Sequence, residues 1–92
     1  MITLNWTNKA ASDLERLYEF LKPQNPSAAA KVVQNLSAAP KTLMTHPRLG
    51  EKLDTFEPRE VRRLFVGAYE MRYEIQHDTL YILRIWHTKE SR

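Results

Sequence analysis

Residues 61–87 read VRRLFVGAYEMRYEIQHDTLYILRIWH, and the fold turns on how these residues pair. Three runs stand out: VRRLFV (61–66), YEMRYEI (69–75) and LYILRIWH (80–87). Each is rich in β-branched, aromatic and long apolar residues and is bounded by turn chemistry, the mark of a strand. Gly67-Ala68 suits a two-residue hairpin with Gly at the first central position. That turn sets Val66 opposite Tyr69, Leu64 opposite Met71 and Arg62 opposite Tyr73, all on one sheet face. The second turn admits two registers. A three-residue turn at 77–79 adds Tyr81, Leu83, Ile85 and His87 to that face. A two-residue turn adds Leu80, Ile82, Arg84 and Trp86 instead. The first concentrates apolar residues on one side and is the expected register.

Upstream, ITLNW (2–6) alternates, with Ile2, Leu4 and Trp6 on one side, and predicts a short strand. Thr7 is a plausible N-cap for a helix whose apolar stripe is Ala11, Leu14, Leu17, Tyr18 and Leu21; Asp13, Glu15, Arg16 and Glu19 fall largely off that stripe. Pro23 ends this helix, Asn25 caps the next and Pro26 fits its first turn. The second helix carries Ala29, Val32, Val33, Leu36 and Ala39, and Pro40 should kink or break it. About four residues join the helices, which predicts an antiparallel hairpin. Residues 46–60 read as a loop with Gly50 in the left-handed region. The order β-α-α-β-β-β predicts a single α+β domain over residues 1–92. In it a helical hairpin covers one face of a mainly antiparallel sheet, and the two apolar surfaces are buried together.

Composition removes several classes of function. A chain of 92 residues supports one modest core. It has no cysteine, so neither a disulfide framework nor a thiolate metal site is available. No apolar run is long enough to cross a membrane and no signal-peptide core opens the chain, so a cytoplasmic protein is expected. Gly50 and Gly67 are the only glycines, which excludes a glycine-rich phosphate loop. His46, His77 and His87 lack zinc-ligand spacing, no Ser-His-Asp set can be assembled, and no cofactor or metal is expected.

The net charge is +3, and eight of the fourteen basic residues are arginine, three of them in REVRR: Arg59, Arg62 and Arg63. Guanidinium groups suit phosphate and carboxylate recognition, but they also guard strand edges against aggregation. Arg62 reads either as an anion-binding group stacked on Tyr73 or as a structural arginine paired with a loop carboxylate such as Glu57. Arg84, between Leu83 and Ile85, requires either a ligand-facing groove or a partner such as Glu70 or Glu74. His87 can move protons near neutral pH or close the strand as a hydrogen-bonded rim residue. Trp6 and Trp86 are core residues or the centre of a partner interface.

The ordered set LNWTNKAASDLERLYEFL, NPSAAAKVV, HPRLGEKL and VRRLFVGAYEMRYEI…LYILRIWHTKE resembles the RelE/ParE toxins of bacterial type II toxin–antitoxin systems. Arg62, the VGAY segment, Tyr73 and the ending Arg84-x-x-His87 look like the ParE-like branch. The resemblance implies a toxin causing growth arrest or plasmid stabilisation, with a cognate antitoxin whose C-terminal segment folds across the toxin, and operator DNA bound through that antitoxin. ParE-like members inhibit DNA gyrase without hydrolysis; RelE- and YoeB-like members cut mRNA on the ribosome. On the first reading the binding surface is Arg59, Arg62, Arg63, Tyr73, Trp86 and His87. On the second, Arg62, Arg84 and His87 are catalytic. A third reading is a toxin fold that acts only in a regulatory complex. Departures weigh against the nuclease: Glu70 stands where YoeB-like RNases carry arginine, Thr88 where they end in tyrosine, and Lys52 is alone in its loop.

Overall fold

The structure, a computed structural model, describes residues 1–90. Strand β1 (Thr3–Trp6) leads into helix α1 (Asn8–Leu21), and helices α2 (Pro26–Ala38) and α3 (Pro40–Thr45) follow. Then come β2 (Glu51–Lys52), a 3₁₀ turn (Asp54–Phe56), β3 (Glu60–Val66), β4 (Tyr69–Gln76) and β5 (Thr79–His87). The strands form one sheet in the order β1-β5-β4-β3-β2. Only β1–β5 is parallel. The α+β two-layer architecture is therefore the one expected, with one strand more than the periodicity reveals. Two residues, Glu51 and Lys52, are too few to display a period of two.

Local chemistry sets the boundaries. Thr7 accepts a hydrogen bond from the Ala10 N–H, and Asn25 accepts one from the Ala28 N–H, so both side chains satisfy donors that a helix start leaves open. Pro26 occupies the first turn of α2. Pro40 divides α2 from α3 because it cannot donate to the preceding turn. The core joins the two layers: Ala10, Leu17, Leu36 and Leu43 from the helices meet Met71, Tyr73, Leu80, Ile82 and Ile85 from the sheet.

The β3–β4 hairpin has the expected register, with Gly67 at φ 60° and Val66 opposite Tyr69. The second turn does not. It has two residues, with Gln76 opposite Thr79 and His77 at φ 53°. The register then shifts: Tyr73 faces Ile82, but Arg72 faces Arg84, leaving Leu83 as an extra residue. This bulge joins the two registers that the sequence sets against each other. Below it Leu80 and Ile82 enter the core; above it Ile85 and His87 fall on the core side. An unshifted strand would have turned half of these apolar residues outward.

Gly50 is required for a reason other than a left-handed backbone, which among the described residues belongs to Gly67 and His77. A Cβ at Gly50 would lie 2.6 Å from the Arg63 carbonyl oxygen and 2.7 Å from the Tyr73 hydroxyl. The fully buried Tyr73 uses that hydroxyl to donate to the Pro47 carbonyl (2.7 Å) and to accept from the Gly50 N–H (2.9 Å). One phenol thus fixes the loop 47–50 against the sheet. Tyr73→Phe leaves both loop groups without their partner and should cost about 2 kcal/mol. Gly50→Ala, which must displace backbone, should cost about 3 kcal/mol. Urea denaturation measures both, and equal midpoints for Tyr73→Phe and wild type would refute the assignment.

Candidate functional site

The sequence-predicted residues are distributed over two faces and two ends of the sheet. Arg62, on the core side, is largely buried. Its Nε donates to Glu60 (2.9 Å) and its Nη1 to the carbonyls of Gly50 (2.7 Å) and Arg48 (3.2 Å). Its carboxylate partner is Glu60 rather than Glu57, which pairs with Lys52. Burial pushes the Glu60 carboxyl up, but hydrogen bonds and charge from Arg62 and Arg48 outweigh it and hold the group below its ordinary range. Tyr73 lies wholly inside and supports the surface from beneath.

The face without helices carries the other cations, and aromatic rings separate them. Arg59 lies 6.0 Å from the Phe56 ring centre, and Arg72 lies 5.6 Å from the same ring. Arg72 is also 4.8 Å from the Trp86 ring, and Arg84 is 5.0 Å from it. The result is an alternating stack, Arg59–Phe56–Arg72–Trp86–Arg84, across the sheet. Arg63 stacks separately on Phe65 at 5.2 Å. Carboxylates neutralise this array in place. Arg59 donates twice to Glu74, Arg72 binds Glu70, and Arg63 binds Glu51. Glu70 and Glu74 are only 1% and 3% exposed, so two buried acids sit beneath the cations. The Arg59 hydrogen bonds hold Glu74 below the ordinary carboxylate range despite its burial. The basic surface is thus closer to neutral than a net charge of +3 suggests.

Arg84 pairs with Asp13 of α1, not with Glu70 or Glu74. Asp13 is 4% exposed and is the organising group here. One carboxylate oxygen accepts from Arg84 Nε and from the Ile85 N–H, both at 2.8 Å; the other accepts from Arg84 Nη2 (3.2 Å) and Arg16 Nη2 (3.3 Å). Asp13 shares a helix face with Ala10 and Leu17, both buried. The i, i+3, i+7 spacing of those three residues was the signal available in the sequence; a charge in the middle of it concealed the stripe.

His87 stands at the far end of β5. Its ring meets Tyr69 edge-on, with centroids 5.2 Å apart at 88°. Its Nδ1 accepts from the Lys89 N–H (3.1 Å), so in the neutral ring the proton resides on Nε2. The tail turns back here: Glu90 accepts from the His87 N–H and returns its own N–H to the His87 carbonyl. Between this turn and α1 lies a groove of about 520 Å³. Leu17, Phe20, Leu21 and Tyr69 form its apolar walls, and Arg16, Lys89 and Glu90 its polar rim together with His87. Phe20 is 68% exposed, a large apolar surface left to water. Sequence periodicity points to neither the groove nor the tail turn, because both depend on where β5 ends against α1.

Arg62, Arg84 and His87 do not converge. Arg62 is level with Tyr73 and His87 with Tyr69, four residues along β4. That is roughly 13 Å along the sheet and about 10 Å across two strand spacings. Arg84 projects from the opposite face. Among the described residues no group of three or more His, Asp or Glu side chains is arranged to hold a metal, and no helix is long and apolar enough to cross a membrane.

Residues 4–92 match the family described as the ParE toxin of type II toxin–antitoxin systems, parDE. Toxin RelE1 of Caulobacter vibrioides is 33% identical over 85 residues, covering 91% of this chain and 90% of the relative. Toxin RelE2 of the same organism is 30% identical over 87 residues, covering 95% and 96%. A solved structure described as the chromosomal ParDE TA system from P. aeruginosa superposes with a TM-score of 0.80 at 29% identity, covering 95% of this chain and 96% of that one.

The Asp13 cluster yields a pH dependence of defined sign. Burial raises the Asp13 carboxyl, but the Arg84 hydrogen bond, the Ile85 N–H, the Arg84 charge and Arg16 together bring it below its ordinary value. A folded pKa under the unfolded one means that the unfolded chain binds more protons as pH falls. The stabilisation is therefore complete above roughly pH 5 and is lost below about pH 4. Asp13→Asn should cost about 3 kcal/mol at pH 7, since it strips a buried pair of its charge, and should flatten the acid limb of a stability–pH curve. An unchanged limb in that variant would refute the role.

Proposed function

Because the chain belongs to the ParE toxin family of type II toxin–antitoxin systems, we propose that it acts as a toxin by binding a target, with ParE-like inhibition of DNA gyrase as its activity. The coarser statement, a toxin with a cognate antitoxin, follows from the family. The choice of target rests on the separation of Arg62, Arg84 and His87. Cleaving RNA requires cations at the scissile phosphate and an acid–base pair within hydrogen-bond reach of the 2′-hydroxyl and the leaving oxygen. Here Arg62 is tied to Glu60 and two carbonyls, Arg84 to Asp13, and His87 stands at the other end of the sheet. A surface that works by docking needs none of these groups together. It needs exposed apolar area, and Phe20 of α1, Leu49 of the loop before β2 and Phe65 of β3 each leave a large apolar side chain in water.

Expression without antitoxin should arrest growth, and the purified protein should abolish supercoiling by purified gyrase or stabilise gyrase-cleaved DNA. His87→Gln should change that inhibition by less than about tenfold, whereas removing a general acid or base costs ~10²–10⁴ in rate. Unaltered supercoiling and no trapped cleavage at saturating protein would refute the gyrase reading. In-frame cuts in translated messages after induction would replace it with the ribosome-dependent mRNA endonuclease.

A further inference from the structure

On the face without helices three arginines stand in one row across the sheet. Arg63 of β3 is the register partner of Arg72 of β4, and Arg72 is the partner of Arg84 of β5. Two strand spacings, about 10 Å, separate the ends of the row. Like charges directly opposite one another destabilise a sheet, and here two such pairs share a member. The balancing acids lie at the ends and beneath: Glu51 of β2 is opposite Arg63, Asp13 receives Arg84, and the buried Glu70 receives Arg72. Along the row itself no acid separates one arginine from the next. The three side chains remain 32%, 21% and 38% exposed. Their bonds to the acids use Nε or Nη2, and the Nη1 group of each donates to no described residue. Aromatic rings hold these donors in place, since Arg72 and Arg84 lie on Trp86 and Arg63 lies on Phe65.

Aligned donors of one sign select an acceptor without donors of its own, a carboxylate or a phosphate. Two observations favour the carboxylates of a protein. Nucleic acid is held by unpaired cations, and each arginine of the row already shares an acid. Bases also need open rings on which to stack, and the buried Trp86 already carries two guanidinium groups. What the face leaves open is Phe65, 52% exposed and two residues from Arg63 on the same side of β3. Arginines beside an uncovered phenyl ring have the make-up of a protein hot spot. We propose that the row Arg63–Arg72–Arg84 is the surface by which the toxin docks on its target protein. Carboxylates of the target bridge neighbouring Nη1 groups, and Phe65 enters an apolar hollow beside them. A bridging carboxylate offsets the repulsion within each opposite pair, a counter-charge that the chain's own acids do not place there. The inference rests on the gyrase reading above and adds the face and the chemistry of the partner.

The test is binding to purified gyrase by surface plasmon resonance, together with inhibition of supercoiling, using the full-length toxin and variants whose thermal melts match wild type. Arg63→Gln and Phe65→Ala are the informative changes, because neither strips a buried acid of its partner. Each should weaken binding and inhibition about tenfold, and the Arg63→Gln effect should shrink in high salt. Lys31→Gln removes an exposed cation from α2, in the other layer, and should change neither by more than about twofold. An equal loss in Lys31→Gln would make net charge responsible and overturn the proposal. Wild-type potency in both Arg63→Gln and Phe65→Ala would overturn the docking face while leaving the gyrase reading intact. A mobility shift of duplex DNA alone that Arg63→Gln abolishes would assign the row to phosphates instead of carboxylates. Weakened antitoxin binding by these variants, with gyrase inhibition unchanged, would assign the face to the antitoxin and likewise overturn the proposal. Failure of the wild type to bind or inhibit gyrase would remove the underlying reading, and the docking face with it.

Discussion

A buried carboxylate takes the place of a missing strand. Strand β1 pairs with β5 only as far as Ile82, because the chain must then leave the sheet to begin α1. The upper half of β5 would be an open edge, with backbone donors and acceptors facing a helix that offers none in return. Thr7 and Asp13 close that edge. The Thr7 N–H and hydroxyl both bond the Ile82 carbonyl, and Asp13 accepts from the Ile85 N–H. Arg16, one turn on, donates to the Ile85 carbonyl. Three side chains of the β1–α1 segment thus imitate a strand. The bulge at Leu83 then follows: β5 shifts register at the point where its partner changes from backbone to side chain.

The two faces of the sheet are protected by different means. On one face the helices exclude water from an aliphatic core. On the other, which none of the α-helices among the described residues covers, guanidinium groups stacked on Phe56 and Trp86 cover the strands while Glu70 and Glu74 lie beneath them. Long arginine side chains provide apolar area along their stems and satisfy the buried acids with their heads. Removing Arg59 would take the ion-pair partner from the buried Glu74, a costlier change than losing an exposed ion pair. Arginine suits this layer better than lysine because a planar group can stack and fork at once. The arginine-rich composition therefore reports a structural layer as much as a recognition surface.

Much of this fold was legible in the sequence, and the boundary of legibility is physical. Gly67 announced the first hairpin and its register because a two-residue turn with Gly at φ 60° leaves no freedom. Asn25-Pro26 announced the start of α2 for the same kind of local reason. At the second turn the sequence left two registers open, and the apolar count favoured the one that a three-residue turn would give. Both were correct over part of β5, and non-local bonds from Thr7, Asp13 and Arg16 flank the point where the strand switches. The partners of Arg62 and Arg84 were hidden for a similar reason. Glu60 is two residues from Arg62 but on the same strand face; Asp13 is seventy-one residues from Arg84. Spacing along the chain ranks neither above Glu57, Glu70 or Glu74.

Arg16 connects the architecture to the groove beside α1. Its guanidinium touches Asp13, the Ile85 carbonyl and Glu90, so one planar group belongs at once to the anchor of α1 and to the rim of the groove. The same turn of α1 that satisfies the β5 edge also aims Leu17 and Phe20 along the cleft, since residues three and four apart share a helix face. Exchanging the carboxylate on Arg16 therefore need not disturb the fold: Asp13 and Ile85 keep their hold on the guanidinium whichever acid occupies its third side. An anchor held by a buried acid and a backbone carbonyl keeps its geometry whatever its exposed third partner does. The groove beside α1 therefore combines apolar walls with a polar rim in which Arg16 is already engaged by Asp13, Glu90 and a backbone carbonyl.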